Sequence, residues 1–301
     1  MTKLEEAVLK QLSLESLGQL HNLDPKEAQA RLNKLTQNVI SEMTPSDILN
    51  HMENVYNETV IEYVSNPHNQ GIVDELIEFM DLLPWGATVL ELGCGPGRDA
   101  LFMSCPDKDF RLSLMNRLRT RDNKTVAEKY LVPEIVLRVT GIDQSKSMIT
   151  ACLEALMSLK TVGMSPAYEP QFLIADMHDL HSLPPKLIEE RFNAVWSCTA
   201  LLVHTPHSLI HPTLQQISDI LMPNGVFFIS YIREQAAGKY DNLLLSSAGP
   251  IKYFSQPDPE KIAEIAKEYE LSLEQQTFSD MEVNGQIKKK DFFVSQLFRK
   301  M

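Results

Sequence analysis

Val89-Leu90-Glu91-Leu92-Gly93-Cys94-Gly95-Pro96-Gly97-Arg98-Asp99 is the stretch on which the fold turns. An apolar run enters a glycine-rich bend, and the residues beyond it read as a helix. Glycines at alternate positions let the backbone bend tightly and leave its surface bare, so a ligand can lie against main-chain N–H groups and the positive end of the following helix. That is a cradle for a carboxylate or phosphate. The dinucleotide pattern G-x-G-x-x-G needs its third glycine where this chain has Arg98. The glycines fall instead as G-x-G-x-G, with Glu91 two residues ahead. A nicotinamide-dependent dehydrogenase is therefore disfavoured. A pyrophosphate gains little from that acid, whereas a ligand bearing both an ammonium and a carboxylate can use both signs of charge. A tight turn holding no ligand is the plain alternative.

Downstream of Pro84-Trp85-Gly86, short apolar runs alternate with amphipathic segments, the pattern of β-α-β units in a largely parallel sheet. The expected strands are Thr88–Leu92, Ile135–Ile142, Gln171–Ala175, Asn193–Ser197, Val226–Tyr231, a weaker one over Leu271–Thr277, and Asp291–Phe298. Ser145 caps a helix with an apolar stripe of Met148, Ile149, Cys152, Leu153, Leu156 and Met157, and Asp258-Pro259 opens another. Two of the strands end in acids. Asp143 can accept two hydrogen bonds from a ribose diol; Asp176 can meet an adenine amino group while Met177 packs on the ring. Singly, each acid fits a helix cap or turn as well. Three successive strands ending in such chemistry at one sheet edge point to a nucleoside site.

Upstream, residues 1–82 read as helices, with start signals at Asp24-Pro25 and Thr44-Pro45-Ser46-Asp47. Residues 1–83 carry 14 acids against 5 bases, most of the excess behind the whole-chain charge of −12. A chain this acidic repels polyanions, so nucleic acid is not an expected partner. The charged N-terminus and the lack of a long apolar run predict neither a signal peptide nor a transmembrane segment, and the expected location is cytoplasmic. Four scattered cysteines form no C-x-x-C pair; free buried thiols and no metal site are expected.

In ELGCGPGRDA, GIDQSKSMI, IADMHDL, FNAVWSCTALLVH and LMPNGVFFISY, taken in order, the chain resembles the class I S-adenosylmethionine-dependent methyltransferases over roughly residues 56–299. The resemblance implies a doubly wound, Rossmann-like α/β fold with a seven-stranded, mostly parallel sheet and an antiparallel last strand. It also implies S-adenosylmethionine as cofactor. Gly93, Cys94, Gly95 and Gly97 would lie along its methionine part, Glu91 on the ammonium side, and Ser197 near the methionine moiety. Asp143 would hold the ribose, with Gln144 and Met148 beside it, and Asp176 and Met177 the adenine. Tyr56 and Tyr63 fall where N-terminal residues fold over the cofactor in the family's small-molecule branch, though both also fit a helical core.

The division expected is a helical extension or cap, 1–82, and a methyltransferase domain, 83–301, with an insertion at about 104–133. Gly97 lies 46 positions before Asp143, against the usual ~20 in such units. The insertion carries Lys108, Arg111, Arg117, Arg119, Arg121 and Lys124, read either as a solvated excursion or as a contact for an anion. The loop after the fourth strand lacks the Asn-Pro-Pro-aromatic sequence of the family's nucleic-acid enzymes, so a small-molecule acceptor is expected. A protein acceptor and a non-catalytic, cofactor-binding regulator are the alternatives. His204 is the expected catalytic contact to the acceptor; His178, His181, His207 and His211 are expected to be structural. Tyr231, Arg233, Glu234, Tyr240 and Tyr253 follow the fifth strand, where acceptor pockets are often built. The N-terminal helices are read as a lid, an acceptor cap or a homodimer contact.

Overall fold

Alternation along the strands sets the layers. In β1 (Thr88–Leu92) Val89 faces one core while Leu90 and Leu92 face another. In β4 (Phe192–Cys198) Ala194 and Trp196 oppose Val195 in the same way. The computed structural model describes residues 1–65, 73–115, 134–233, 240–245, 249–283 and 286–301. Its large sheet has seven strands in the order β3-β2-β1-β4-β5-β9-β8. The remaining strands of that sheet are β2 (Arg138–Asp143), β3 (Gln171–Ile174), β5 (Leu221–Ile232), β8 (Leu271–Val283) and β9 (Gln286–Lys300). β9 runs antiparallel between β5 and β8, as the resemblance implied. β1 pairs in parallel with both β2 and β4, so the winding reverses there. Ligands in such sheets sit at that reversal, beyond the carboxyl ends of the strands.

Helices cover both faces. On one, α5 (Val73–Asp81), α6 (Arg98–Ser104) and α8 (Lys146–Thr161) bury Phe79, Phe102 and Cys152 against Trp196, which stacks on Phe228 with centroids 4.1 Å apart. Such an aromatic pair adds about 0.5–1.5 kcal/mol beyond the area it buries. On the other face, α10 (Ile210–Ile220) and α11 (Pro259–Glu268) pack Leu214, Ile217 and Ile262 on Phe227 and Ile229. The α8 stripe is narrower than expected. Met148, Ile149, Cys152 and Leu156 are buried, but Leu153 and Met157, on its flank, are exposed.

A third core belongs to α1 (Lys3–Leu12), α2 (Leu17–His21), α3 (Pro25–Ser41) and α4 (Pro45–Ser65). Thr2 and Asp24 cap α1 and α3 as their sequences dictate, and Thr44 and Asp47 exchange hydrogen bonds at the start of α4. Their apolar faces close on one another and on a hairpin the sequence reading did not anticipate, β6 (Asp241–Leu245) with β7 (Ile251–Ser255). Ile251, Tyr253 and Ser255 alternate as buried positions, so the period-two signal was present but short. The cap is thus built from two stretches of chain far apart in sequence. No helix among the described residues is long and apolar enough to cross a membrane.

Of the basic insertion, Lys108 and Arg111 on α7 (Lys108–Met115) are described, while Arg117, Arg119, Arg121 and Lys124 lie outside the described residues. Lys108 is exposed near Glu134. Arg111 corrects the solvated reading: it is fully buried, and its guanidinium donates to the carbonyls of Phe102, Met103 and Ile135, closing the C-terminal end of α6. Burial draws its pKa down to about 10, so it stays charged at neutral pH. Arg111→Met takes its donors from the Phe102 and Ile135 carbonyls, while Met103 keeps the Leu137 N–H, and should cost about 1–3 kcal/mol, read as a lower urea midpoint. An unchanged midpoint would contradict this role.

Candidate active site

At the winding reversal, α4 crosses the open end of the sheet and roofs a cavity of about 740 Å3, open mouth included. The β1 turn forms part of its wall. Gly93 has φ +66°, and a Cβ there would stand 2.5 Å from Cβ of Ala200, so both backbone and space require glycine. At Gly95, φ +52°, a Cβ would meet only Tyr63, at 3.9 Å, across the cavity. Asp143 closes the next side. Its carboxylate accepts the N–H of Gly95 (3.0 Å) and of Ser145 (2.8 Å), tying the tips of β1 and β2 together. Burial raises its pKa against those two bonds, and its remaining lone pairs are free to accept from a diol. Gln144, Met148, Ala175 and Met177 continue the wall as a mostly apolar slot.

The roof comes from α4. Leu49, Met52, Glu53, Tyr56 and Tyr63 line the cavity, with Tyr56 and Tyr63 edge to face at 5.8 Å. Asn57, on the same helix, accepts from the Ser145 hydroxyl (2.9 Å) and the Ser147 N–H (3.2 Å), latching α4 to the start of α8. The far wall is Cys198, Thr199, Ala200 and His204, after β4. Thr199 holds φ +51°, a conformation costly for a β-branched residue and often met at functional sites. Its N–H is pinned to the carbonyl and hydroxyl of Ser230, both at 3.0 Å.

His204 is the best-defined polar group in the cavity. Nδ1 lies 2.6 Å from the Tyr253 carbonyl, which can only accept, so Nδ1 carries the ring proton. Nε2 is then bare and accepts the Tyr56 hydroxyl proton at 2.7 Å. Burial pulls the His204 pKa down to about 4, and the imidazole is neutral at pH 7.

Of the residues expected at the site, Tyr63, Gly93, Gly95, Asp143, Gln144, Met148, Met177 and His204 line this cavity. Glu91, Cys94, Gly97, Asp176 and Ser197 lie outside its lining. Glu91 is buried beneath the turn, where it accepts the Ala100 N–H at the start of α6; burial and the neighbouring Asp99 push its pKa well up, and its Oε2 has no partner among the described residues. Asp99 takes a two-pronged bond from Arg98 and the Trp196 indole N–H. Gly97 admits Cys152 and Phe172 to close packing, and the Cys94 and Cys152 sulfurs lie 4.0 Å apart beneath the loop. The Ser197 hydroxyl bridges Leu92 and Leu201. Asp176 holds His178, whose backbone N–H and Nδ1 both lie 2.8 Å from its Oδ1, and His178 reaches Thr205 at 2.9 Å.

Of the residues after β5, Tyr231 turns into the core toward Gln296, Tyr240 donates to the Thr205 carbonyl, Tyr253 donates to Asp241, and Arg233 lies over Phe278. None lines the cavity; Glu234 lies outside the described residues. The sequence reading missed Leu49, Met52 and Glu53, which carry no motif, and Ala175, Thr199 and Ala200, which lie inside the quoted motifs but were not singled out. His178, read as structural, does line the cavity.

The neutral His204 links acidity to stability. Its folded pKa, about 4, lies below the ordinary 6.5, so the unfolded chain binds the proton first. Its contribution is complete above pH 6.5 and lost as pH falls toward 4. Between pH 7 and 5 the wild type should lose about 2 kcal/mol more than His204→Gln, measured by urea unfolding. Parallel pH profiles for the two proteins would refute this.

Among solved structures, the chain is similar to a Burkholderia thailandensis 1,6-didemethyltoxoflavin-N1-methyltransferase bound to 1,6-didemethyltoxoflavin and S-adenosylhomocysteine. That match has 14% identity over 86% of this chain and 91% of the other, with a TM-score of 0.55. It is similar also to the magnesium protoporphyrin IX methyltransferase of Synechocystis PCC 6803 with bound S-adenosylmethionine (12% identity, 84% and 97% covered, TM-score 0.52). A third similar structure is the cyclase SpnF (14% identity, 83% and 94% covered, TM-score 0.52). No protein-family model and no curated protein matches the chain by sequence. Strand order, the glycine turn at the winding reversal and these likenesses agree: the chain has the fold of the class I S-adenosylmethionine-dependent methyltransferases.

Proposed function

We propose that the protein is an S-adenosylmethionine-dependent methyltransferase acting on a small molecule. The observation that carries this reading is the single cavity joining Gly93, Gly95, Asp143, Met148 and Met177 with a neutral His204. Its lining is mostly apolar with a few polar groups converging on it, the usual character of small-molecule sites. The residues suit the cofactor. Asp143 has lone pairs for the ribose hydroxyls, Met148 and Met177 give adenine apolar flanks, and the bare backbone at Gly95 leaves room for the amino-acid end. Glu91, one oxygen unsatisfied below the turn, would offer a hydrogen-bond acceptor toward an ammonium. Asp176 would act through His178 and Met177, and Ser197 and Gly97 through the shape of the loop.

The cofactor supplies a methyl group already activated by its sulfonium, so the protein's part is alignment and exclusion of water. The α4 roof, with Leu49, Met52, Tyr56 and Tyr63, sheds water and restricts entry to small acceptors, and His204 faces the acceptor from the wall. The toxoflavin and magnesium protoporphyrin enzymes favour the small-molecule reading; a fold shared with a cyclase keeps the reaction itself open to test.

Calorimetry of the intact chain should detect S-adenosylmethionine and S-adenosylhomocysteine. Asp143→Ala should weaken both by roughly tenfold or more, since it removes charge-assisted bonds, and Gly95→Arg should abolish binding by filling the cavity. No binding by the folded wild type would end this reading. Labelled methyl transfer into lysate should appear in the small-molecule fraction; label in protein instead would shift the acceptor to a protein side chain, and cofactor binding without any transfer would make the chain a regulator.

A further inference from the structure

The geometry points to Tyr56 as the group that takes the acceptor's proton, with His204 behind it as the terminal base, and so to an acceptor whose reacting atom carries a proton: a hydroxyl, a phenol or a heteroaromatic N–H. This rests on the methyltransferase reading above.

Both side chains line the cavity, and the order of donors between them is fixed from the rear. The Tyr253 carbonyl holds the Nδ1 proton, leaving Nε2 as the only basic atom of the ring; Tyr56 covers that atom with its own O–H. A cavity ligand therefore meets the phenolic oxygen of Tyr56 as the nearer acceptor, whose proton already points at a base. Burial keeps Tyr56 from ionising, with a pKa well above its ordinary 10, so Tyr56 receives a proton only as it passes its own on.

Hydrogen bonds at both nitrogens hold the ring's orientation, and Phe254 and Tyr56 pack against it with centroids 5.0 and 5.5 Å away. The partner behind the imidazole is a carbonyl, not a carboxylate. It sets the tautomer without adding charge, and the resting ring stays neutral.

The balance closes. A bond forms between the acceptor atom and the methyl carbon, and the carbon–sulfur bond breaks with its electron pair left on sulfur. The acceptor's proton moves to Oη of Tyr56, and the Tyr56 proton moves to Nε2 of His204. One positive charge leaves sulfur as one appears on the imidazole, so the cavity's net charge is unchanged. That matching of charge offsets the low basicity of a buried imidazole. An acceptor that attacks through a free lone pair and carries no proton would leave this chain of groups unused.

The test uses the full chain with nitrogen-15 histidine, followed by NMR. In the free protein at pH 7, His204 should show a protonated Nδ1 and a bare Nε2; the opposite tautomer overturns the proposal. With S-adenosylhomocysteine saturating, phenol should shift the Nε2 resonance and anisole, which lacks the hydroxyl proton, should not. No response to phenol, or equal responses to both, overturns it as well. This arm needs no substitution. In Tyr56→Phe, which keeps the ring and removes only the hydroxyl, the affinity for phenol should fall roughly fivefold; unchanged affinity overturns the relay. Failure of the wild type to bind S-adenosylhomocysteine, seen separately by calorimetry, would remove the methyltransferase reading itself.

Discussion

The glycine turn that shapes the cavity is held to the tip of β2 by one carboxylate, beside the Cys94 N–H bond to the Ile142 carbonyl. Asp143 accepts the Gly95 N–H on one oxygen and the Ser145 N–H on the other, fixing the glycine turn and the start of α8 in one frame. Two backbone donors offset part of the cost of burying that charge. Ser145 in turn caps α8 and gives its hydroxyl to Asn57, which brings the roof down onto the same frame. Loss of the carboxylate would loosen wall and roof together.

The cap is held by an analogous economy of donors. Among the described residues strand β7 pairs with one strand, β6, so its other edge turns carbonyls to the helices. His51 meets the Ile251 carbonyl at 2.6 Å and His204 meets that of Tyr253 at 2.6 Å. Both rings are buried, and burial lowers the pKa of each. Each takes a hydroxyl on its second nitrogen, His51 from Thr2 and His204 from Tyr56. Two neutral histidines thus satisfy an edge strand, and one of them faces the cavity. The group that seals cap to sheet is also the group placed to hold a proton.

Much of the sheet was legible because buried strands declare themselves by apolar runs, and turns by their chemistry. Asn224, in a Pro-Asn-Gly segment that lies within β5 where its register with β4 shifts, takes φ +62°, as its type permits. The hairpin was not legible, since two five-residue strands with a weak alternation carry no cue to their partner. Arg111 misled for a related reason: a basic residue among basic residues reads as surface, and only the crossing of α6 and α7 shows three carbonyls converging on it.

For the site, local chemistry fixed the turn. Gly93, Gly95, Asp143 and Met177 sit at strand ends, where their neighbours in sequence determine which way they face, and each lines the cavity. Tertiary structure decided what covers it. Leu49, Met52 and Glu53 differ in no sequence-readable way from other helical residues, and their approach to β4 depends on where the cap docks. The protonation of His204 is likewise absent from its own neighbourhood in the chain. Its two partners lie 148 and 49 residues away, and a hydrogen-bond donor order is a property of groups in contact.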